Sequence, residues 1–184
     1  MTTTTAAPRL RTVDMSYIAL FAVLMAVCAW ISIPMTVPFT LQTFAVFAAL
    51  ATLGGRRGTY AVLVYLLLGA VGLPVFAGFQ GGPGVLLGTT GGYILGFLGS
   101  ALVFWLATAW LGDSLPAVLT ACGMGLVVCY AFGTAWFLVV YARTSGPIGL
   151  LTALGWCVFP FLVPDLIKLG LAVLVSQRVK RFLK

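Results

Sequence analysis

Phe159-Pro160-Phe161-Leu162-Val163-Pro164-Asp165-Leu166-Ile167-Lys168 is the stretch that decides how this chain folds. It sets a carboxylate and an ammonium in sequence that otherwise avoids charge. Between Thr144 and Gln177 no other Asp, Glu, Lys or Arg occurs. Pro164 suits the first position of a helix, where its missing N–H costs nothing. Asp165 then falls in the first turn, where the helix dipole favours a negative charge. Lys168 follows three residues on, on nearly the same face. The helix is expected to run to about Phe182. Asp165 lies thirteen residues from Arg178, about 20 Å at the helical rise. With Arg178 at one membrane surface, Asp165 lies below the other, inside a hydrocarbon core about 30 Å thick. A charge at mid-membrane costs roughly 2.5–3.5 kcal/mol, less near the ends. Two roles fit that cost: a self-neutralising pair that pins a helix end, or the polar floor of a small-ligand or ion-coupling site.

The composition puts the rest of the chain in a membrane. Of 184 residues, 62% are hydrophobic and 7% charged, against about a quarter charged in soluble domains. The expected architecture is an all-α integral membrane protein with a polar leader over residues 1–14 and one transmembrane substrate-binding domain over 15–184. The run from Tyr17 to Ile33 is longer than a signal-peptide core and lacks a cleavage site, so it reads as a retained helix. The net charge of +7 does not point to nucleic acid, because the basic residues sit at helix ends and loops.

Charges and helix breakers divide the chain. Met15 to Gly55 is free of charge, and Pro34 and Pro38 split it into a first helix at Tyr17–Ile33 and a second at Phe39–Leu53. Gly54-Gly55-Arg56-Arg57-Gly58 reads as a tight basic turn. A third helix follows at Thr59–Val71 and a fourth at Gly91–Leu111. The fifth runs Pro116–Tyr141 and the sixth starts at Pro164. Ile148–Val158 reads equally as a re-entrant helix or as part of a bent sixth span. With six spans, one side receives Arg9, Arg11, Arg56, Arg57, Arg178, Lys180, Arg181 and Lys184, and the other only Arg143. This asymmetry places both termini in the cytoplasm.

That topology brings polar residues to one depth below the outer surface. Gln42, Thr90, Tyr93, Asp165 and Lys168 all start even-numbered helices, whose N-termini also favour an anionic group. The glycine-rich segment Pro74–Gly84, with Phe76, Phe79 and Gln80, overhangs them or forms only a compact turn. On the first helix, Ala19, Ala22, Ala26 and Ala29 form a small-residue stripe that suits close helix approach, either to a partner or within the chain. The four cysteines lie in apolar segments, and the chain has no histidine. Neither a metal site nor a cofactor is expected. No catalytic set and no nucleotide-binding motif is present, so the chain reads as a non-enzyme.

Four motifs carry a resemblance: Val37-Pro38-Phe39-Thr40-Leu41-Gln42-Thr43-Phe44; Gly69-Ala70-Val71-Gly72-Leu73-Pro74-Val75-Phe76-Ala77-Gly78; Gly88-Thr89-Thr90-Gly91-Gly92-Tyr93; and Pro160 to Lys168. Over Tyr17 to about Phe182 the chain resembles the BioY family, the biotin-specific S components of energy-coupling-factor (ECF) vitamin transporters. It departs at Thr89, where the family usually has proline, and at Val163-Pro164, where the family usually has Pro-Gly before the aspartate. The resemblance implies six helices, cytoplasmic termini and an outward vitamin pocket lined by Asp165 and Lys168. It implies docking through Ala22 and Ala26 on a membrane-embedded T component, with two cytoplasmic ATPase subunits using the ATP. Biotin offers two ureido N–H donors, one carbonyl and a carboxylate. Asp165 would accept a ureido N–H, Lys168 would donate to the carbonyl or carboxylate, and Phe76, Phe79 and Tyr93 would enclose the rest. Gln42, Gln80 and Thr90 are secondary polar candidates. A competing reading is a self-sufficient secondary transporter with Asp165 as its proton site.

Overall fold

The computed structural model describes residues 10–182. Its elements in order are α1 (Thr12–Trp30), β1 (Ser32–Ile33), β2 (Phe39–Thr40), α2 (Gln42–Ala70), a single 3-10 turn (Ala77–Phe79), α3 (Pro83–Leu87), α4 (Gly91–Leu111), α5 (Leu115–Thr144), α6 (Leu150–Cys157) and α7 (Phe159–Val179). Four of these, α1, α4, α5 and α7, are long and apolar enough to cross a membrane. Residues 1–9 of the expected leader lie outside the described residues. The rest of that stretch is not all leader, because α1 opens at Thr12 and the Asp14 carboxylate accepts the Arg11 N–H at 3.0 Å.

The loop after α1 is a small antiparallel hairpin rather than a plain break. Ser32 pairs with Thr40 and Ile33 with Phe39. Phe39 and Thr40 therefore belong to a strand, and the second helix starts three residues later than the sequence suggested. Pro34 and Pro38 lie in the connection between the strands, where missing N–H groups interrupt no ladder.

The second and third expected helices are the two halves of α2. Only Gly54 leaves helical geometry, at φ 80° and ψ 171°, a conformation that glycine adopts without steric cost. Arg56 and Arg57 are thus helical, not part of the turn. The halves fold back on each other: Gln42 Nε2 donates to Tyr65 Oη at 2.8 Å. A Cβ on Gly58 would lie 2.9 Å from the Leu50 backbone, which measures how closely they approach.

The alanine stripe is internal packing. Ala22, Ala26 and Ala29 are buried, and α1 packs chiefly on α2. Of the four, only Ala19 is exposed. α2 is itself rich in buried small residues, Ala45, Ala48, Ala49 and Ala51 among them. Close approach is satisfied within the chain. The solvent- or lipid-facing side of α1 instead carries Leu20, Val23 and Val27.

α7 begins at Phe159, so Pro160 takes the early position expected for Pro164, and Pro164 lies inside the helix. Asp165 is consequently in the second turn, away from the helix N-terminus. The reason is tertiary: Phe161 is buried and stacks on Phe39, with ring centroids 6.0 Å apart. That contact draws the extra turn into the helix. Ile148–Val158 resolves into the separate helix α6, which packs on α5 and α7. Val158, at φ −124° and ψ −57°, separates it from α7. α4 runs from Gly91 to Leu111 as expected, stopped by Gly112 at φ 79°.

Candidate functional site

The chain holds a buried pair of opposite charges at one end of the bundle, and the fold builds a cavity on it. Asp165 and Lys168 are 4% and 6% exposed, so each charge has given up most of its water and must find partners in the protein. Lys168 Nζ lies 2.8 Å from Asp165 Oδ1 and donates a second bond, also of 2.8 Å, to the Thr40 carbonyl of β2. It also lies 3.9 Å from the centroid of the Phe39 ring, within the range of a cation–π contact. The other carboxylate oxygen, Oδ2, accepts the Tyr130 hydroxyl at 2.7 Å. One ion pair therefore joins α7 to β2 and to α5. An ammonium has three N–H groups, and one of them is left uncommitted to any oxygen.

The cavity beside this pair has a volume of about 100 Å³. A single water needs only about 10–15 Å³ by the same measure, so there is room for a small organic molecule's ring. Asp165 and Lys168 line it and carry its only formal charges, so the lining is neutral overall.

The structure brings together seven of the eight residues expected at a binding site. Gln42, Phe76, Gln80, Thr90, Tyr93, Asp165 and Lys168 all line the cavity. Gln42 is held by Tyr65, whose hydroxyl passes the chain on to the Val75 carbonyl at 3.1 Å. This tie anchors the loop before the 3-10 turn to α2. Phe76 is fully buried and meets Tyr65 edge-on at 5.6 Å between centroids. Tyr93 shares a hydrogen bond of 2.9 Å with Thr134 of α5. Phe79 is the exception. It is 63% exposed, has φ 57°, and stacks on Trp30 at 5.0 Å between centroids. The Trp30 indole N–H also donates to the Pro74 carbonyl at 2.8 Å. Phe79 thus fastens the loop to the end of α1 from outside. The bridge between Phe76 and Gln80 explains the split, because it turns these two toward the cavity while Phe79 sits at the bend between them.

Sequence reasoning missed Tyr130, Phe39 and the Thr40 carbonyl. Tyr130 lies mid-way along an apolar helix of 30 residues and reads there as one more core aromatic. A phenol at that depth needs a partner for its hydroxyl, and that was the available signal. Phe39 and Thr40 were hidden by the assumption that they began a helix. All four cysteines are buried and free, and Cys129 and Cys157 contribute apolar surface to the cavity wall.

Comparisons with known proteins identify the family. The BioY family model matches residues 1–184. The biotin transporter BioY of Thermotoga maritima is 44% identical over 88% of this chain and 92% of its own. A probable biotin transporter BioY of Pyrococcus horikoshii is 40% identical over 91% of this chain and 96% of its own. Among solved structures, a crystal structure of the S-component for biotin from an ECF-type ABC transporter superimposes with a TM-score of 0.82 at 25% identity. That match covers 94% of this chain and 95% of the other. A helical membrane protein with a buried ion pair lining its cavity, matched by this family over its whole length, belongs to the BioY family.

Proposed function

We propose that the chain is the substrate-binding membrane subunit of a biotin uptake system. It captures biotin at the outer face and delivers it for import with an ECF energising module. The observation that carries the reading is the buried Asp165–Lys168 pair lining a cavity, in a chain whose relatives are biotin transporters. The ureido ring suits this floor. Asp165 accepts from a ring N–H, and the uncommitted N–H of Lys168 meets the ring carbonyl or the carboxylate. Phe76 and Tyr93 supply apolar walls, with Gln42, Gln80 and Thr90 at the polar margin.

In this reading the two halves of α2 join α1, α4, α5 and α7 as spans, which makes six and leaves both termini in the cytoplasm with most of the Lys and Arg. The halves of α2 are short, and a locally thinned bilayer accommodates them. The subunit needs no cofactor of its own, and ATP is used by two cytoplasmic ATPase partners. Assembly with a T component rests on family membership, not on the alanine stripe, which is spent on α2. Titrating biotin into the purified, detergent-solubilised protein tests the reading. Saturable binding of one biotin per chain is expected. No heat and no spectral change in a demonstrably folded sample would overturn it.

A further inference from the structure

Tyr130 stands on the cavity wall with its only proton already given away. Its hydroxyl donates to Asp165 Oδ2 at 2.7 Å, and the side chain is half-buried and lines the cavity. A phenol has one O–H donor and lone pairs that accept. With the proton committed to a carboxylate, Tyr130 Oη faces the cavity as an acceptor alone. The carboxylate has the same character. Lys168 occupies one site on Oδ1 and Tyr130 one site on Oδ2, and an ionised carboxylate has about four lone-pair sites. Two remain, one on each oxygen. The side of the cavity formed by α5 and α7 is therefore a contiguous acceptor surface of three oxygens, with the single donor N–H of Lys168 at its edge.

From this pattern we infer that Tyr130 is a specificity-determining residue. It fixes the Asp165 carboxylate and, with it, reads N–H donors on the ligand. The inference rests on the proposed biotin-binding role and names the part of the ligand this wall recognises. A cyclic urea presents N–H groups in the ring plane and matches such a wall. A nitrogen that carries a methyl group presents no donor and adds bulk against these oxygens, leaving their remaining acceptor sites desolvated and unfilled, which is costly for buried acceptors. Neither role is open to a phenylalanine, which keeps the ring and its packing but removes both the bond to Asp165 and the acceptor.

The test measures dissociation constants of the purified protein and of Tyr130→Phe for three ligands: biotin and its two mono-N-methyl derivatives at the ureido nitrogens. In the parent, methylation of at least one nitrogen is expected to weaken binding by about tenfold or more, the size of one lost charge-assisted hydrogen bond. Tyr130→Phe is expected to weaken biotin by about tenfold to a hundredfold. It is also expected to shrink the penalty for methylation at one of the two nitrogens, the one facing Tyr130 Oη, to about threefold or less, while the Asp165 oxygens keep the penalty at the other. A uniform loss for all three ligands, with the penalty preserved, would make Tyr130 a structural support and overturn the inference. So would unchanged biotin binding by the variant. Should Tyr130→Phe not fold, the parent alone decides, since tolerance of both methyl groups also overturns the inference. Failure of the parent to bind biotin at all is a different result, and it overturns the proposed function together with this inference.

Discussion

Two ion pairs among the described residues, Asp165–Lys168 and Asp14–Arg57, behave as opposites. Asp165–Lys168 lies beneath the cavity, with side chains 6% and 7% exposed. Asp14–Arg57 joins the start of α1 to the second half of α2, just after Gly54, with its arginine 47% exposed and an N–O distance of 3.1 Å. The second pair sits beside Gly54, twelve residues along α2 from Gln42 and about 18 Å away at the helical rise. Distance alone would rank the pairs as similar. Their surroundings do not. Each member of the buried pair has further partners: the Tyr130 hydroxyl for Asp165, and the Thr40 carbonyl and Phe39 ring for Lys168. Removing one member strands the other without water. In the outer pair, Asp14 keeps the Arg11 N–H and a place in the first turn of α1, where the helix dipole supports a negative charge. Arg57 keeps its water. The contrast teaches that a charge pair is expensive to break in proportion to what its survivor has left.

The largest expected effect tests the first half of that statement. Lys168→Ala leaves Asp165 buried beside a single phenol and removes a ligand donor. Truncating one partner of such a pair costs roughly 2–5 kcal/mol. Biotin affinity is therefore expected to fall by at least about thirtyfold, read by titration into folded mutant. Near-normal binding would show that the pair is a helix pin and not a ligand floor.

An intermediate effect is expected from Gly133→Ala, which separates cavity shape from cavity charge. A Cβ there would overlap the Tyr93 ring, which is buried and hydrogen-bonded to Thr134. Overpacking of this kind typically costs about 1–3 kcal/mol. A lower melting temperature and about tenfold weaker biotin binding are expected. Loss of stability with affinity intact would show that the Tyr93 ring does not shape the site.

Arg57→Ala is the smallest. Asp14 is buried and Arg57 half-exposed, but the surviving Asp14 retains the Arg11 N–H and the helix dipole, so the cost stays near the exposed-pair range of about 0–1 kcal/mol. The melting temperature is expected to change little, and biotin affinity to stay within about twofold. A loss as large as that of Lys168→Ala would erase the distinction between the two pairs and show coupling from the start of the second half of α2 to the cavity.

Much of this is legible in the sequence. Apolar runs marked the helices, and where glycine stood at both ends, as around α4, the boundaries followed too. Asp165 and Lys168 were conspicuous because charge is expensive in a membrane, so their presence alone carried information. Gln42, Tyr93 and Thr90 followed from chain reversal, which returns alternate helix starts to the same side. The errors lie where local sequence was degenerate. Pro160 and Pro164 each suit a helix start, and only the packing of Phe161 on Phe39 chose between them. Small residues spaced along α1 announced a close helix contact but not whose helix it was. Period and spacing see one element at a time, and burial is a property of two.

By itself, then, the sequence determined the solvent this protein lives in, its mostly helical character, and the two charges around which a site had to form. Those follow from transfer energies, which belong to residues and are indifferent to neighbours. Tertiary structure alone decided that Phe79 fastens the loop from outside while Phe76 lines the cavity, that Ala22 and Ala26 are spent on α2, and that Tyr130 and the Thr40 carbonyl complete the coordination of the buried pair. These depend on hydrogen bonds and contacts between residues as far apart as Thr40 and Lys168. A donor or acceptor gains its meaning from the group it faces, and only the fold sets which group that is.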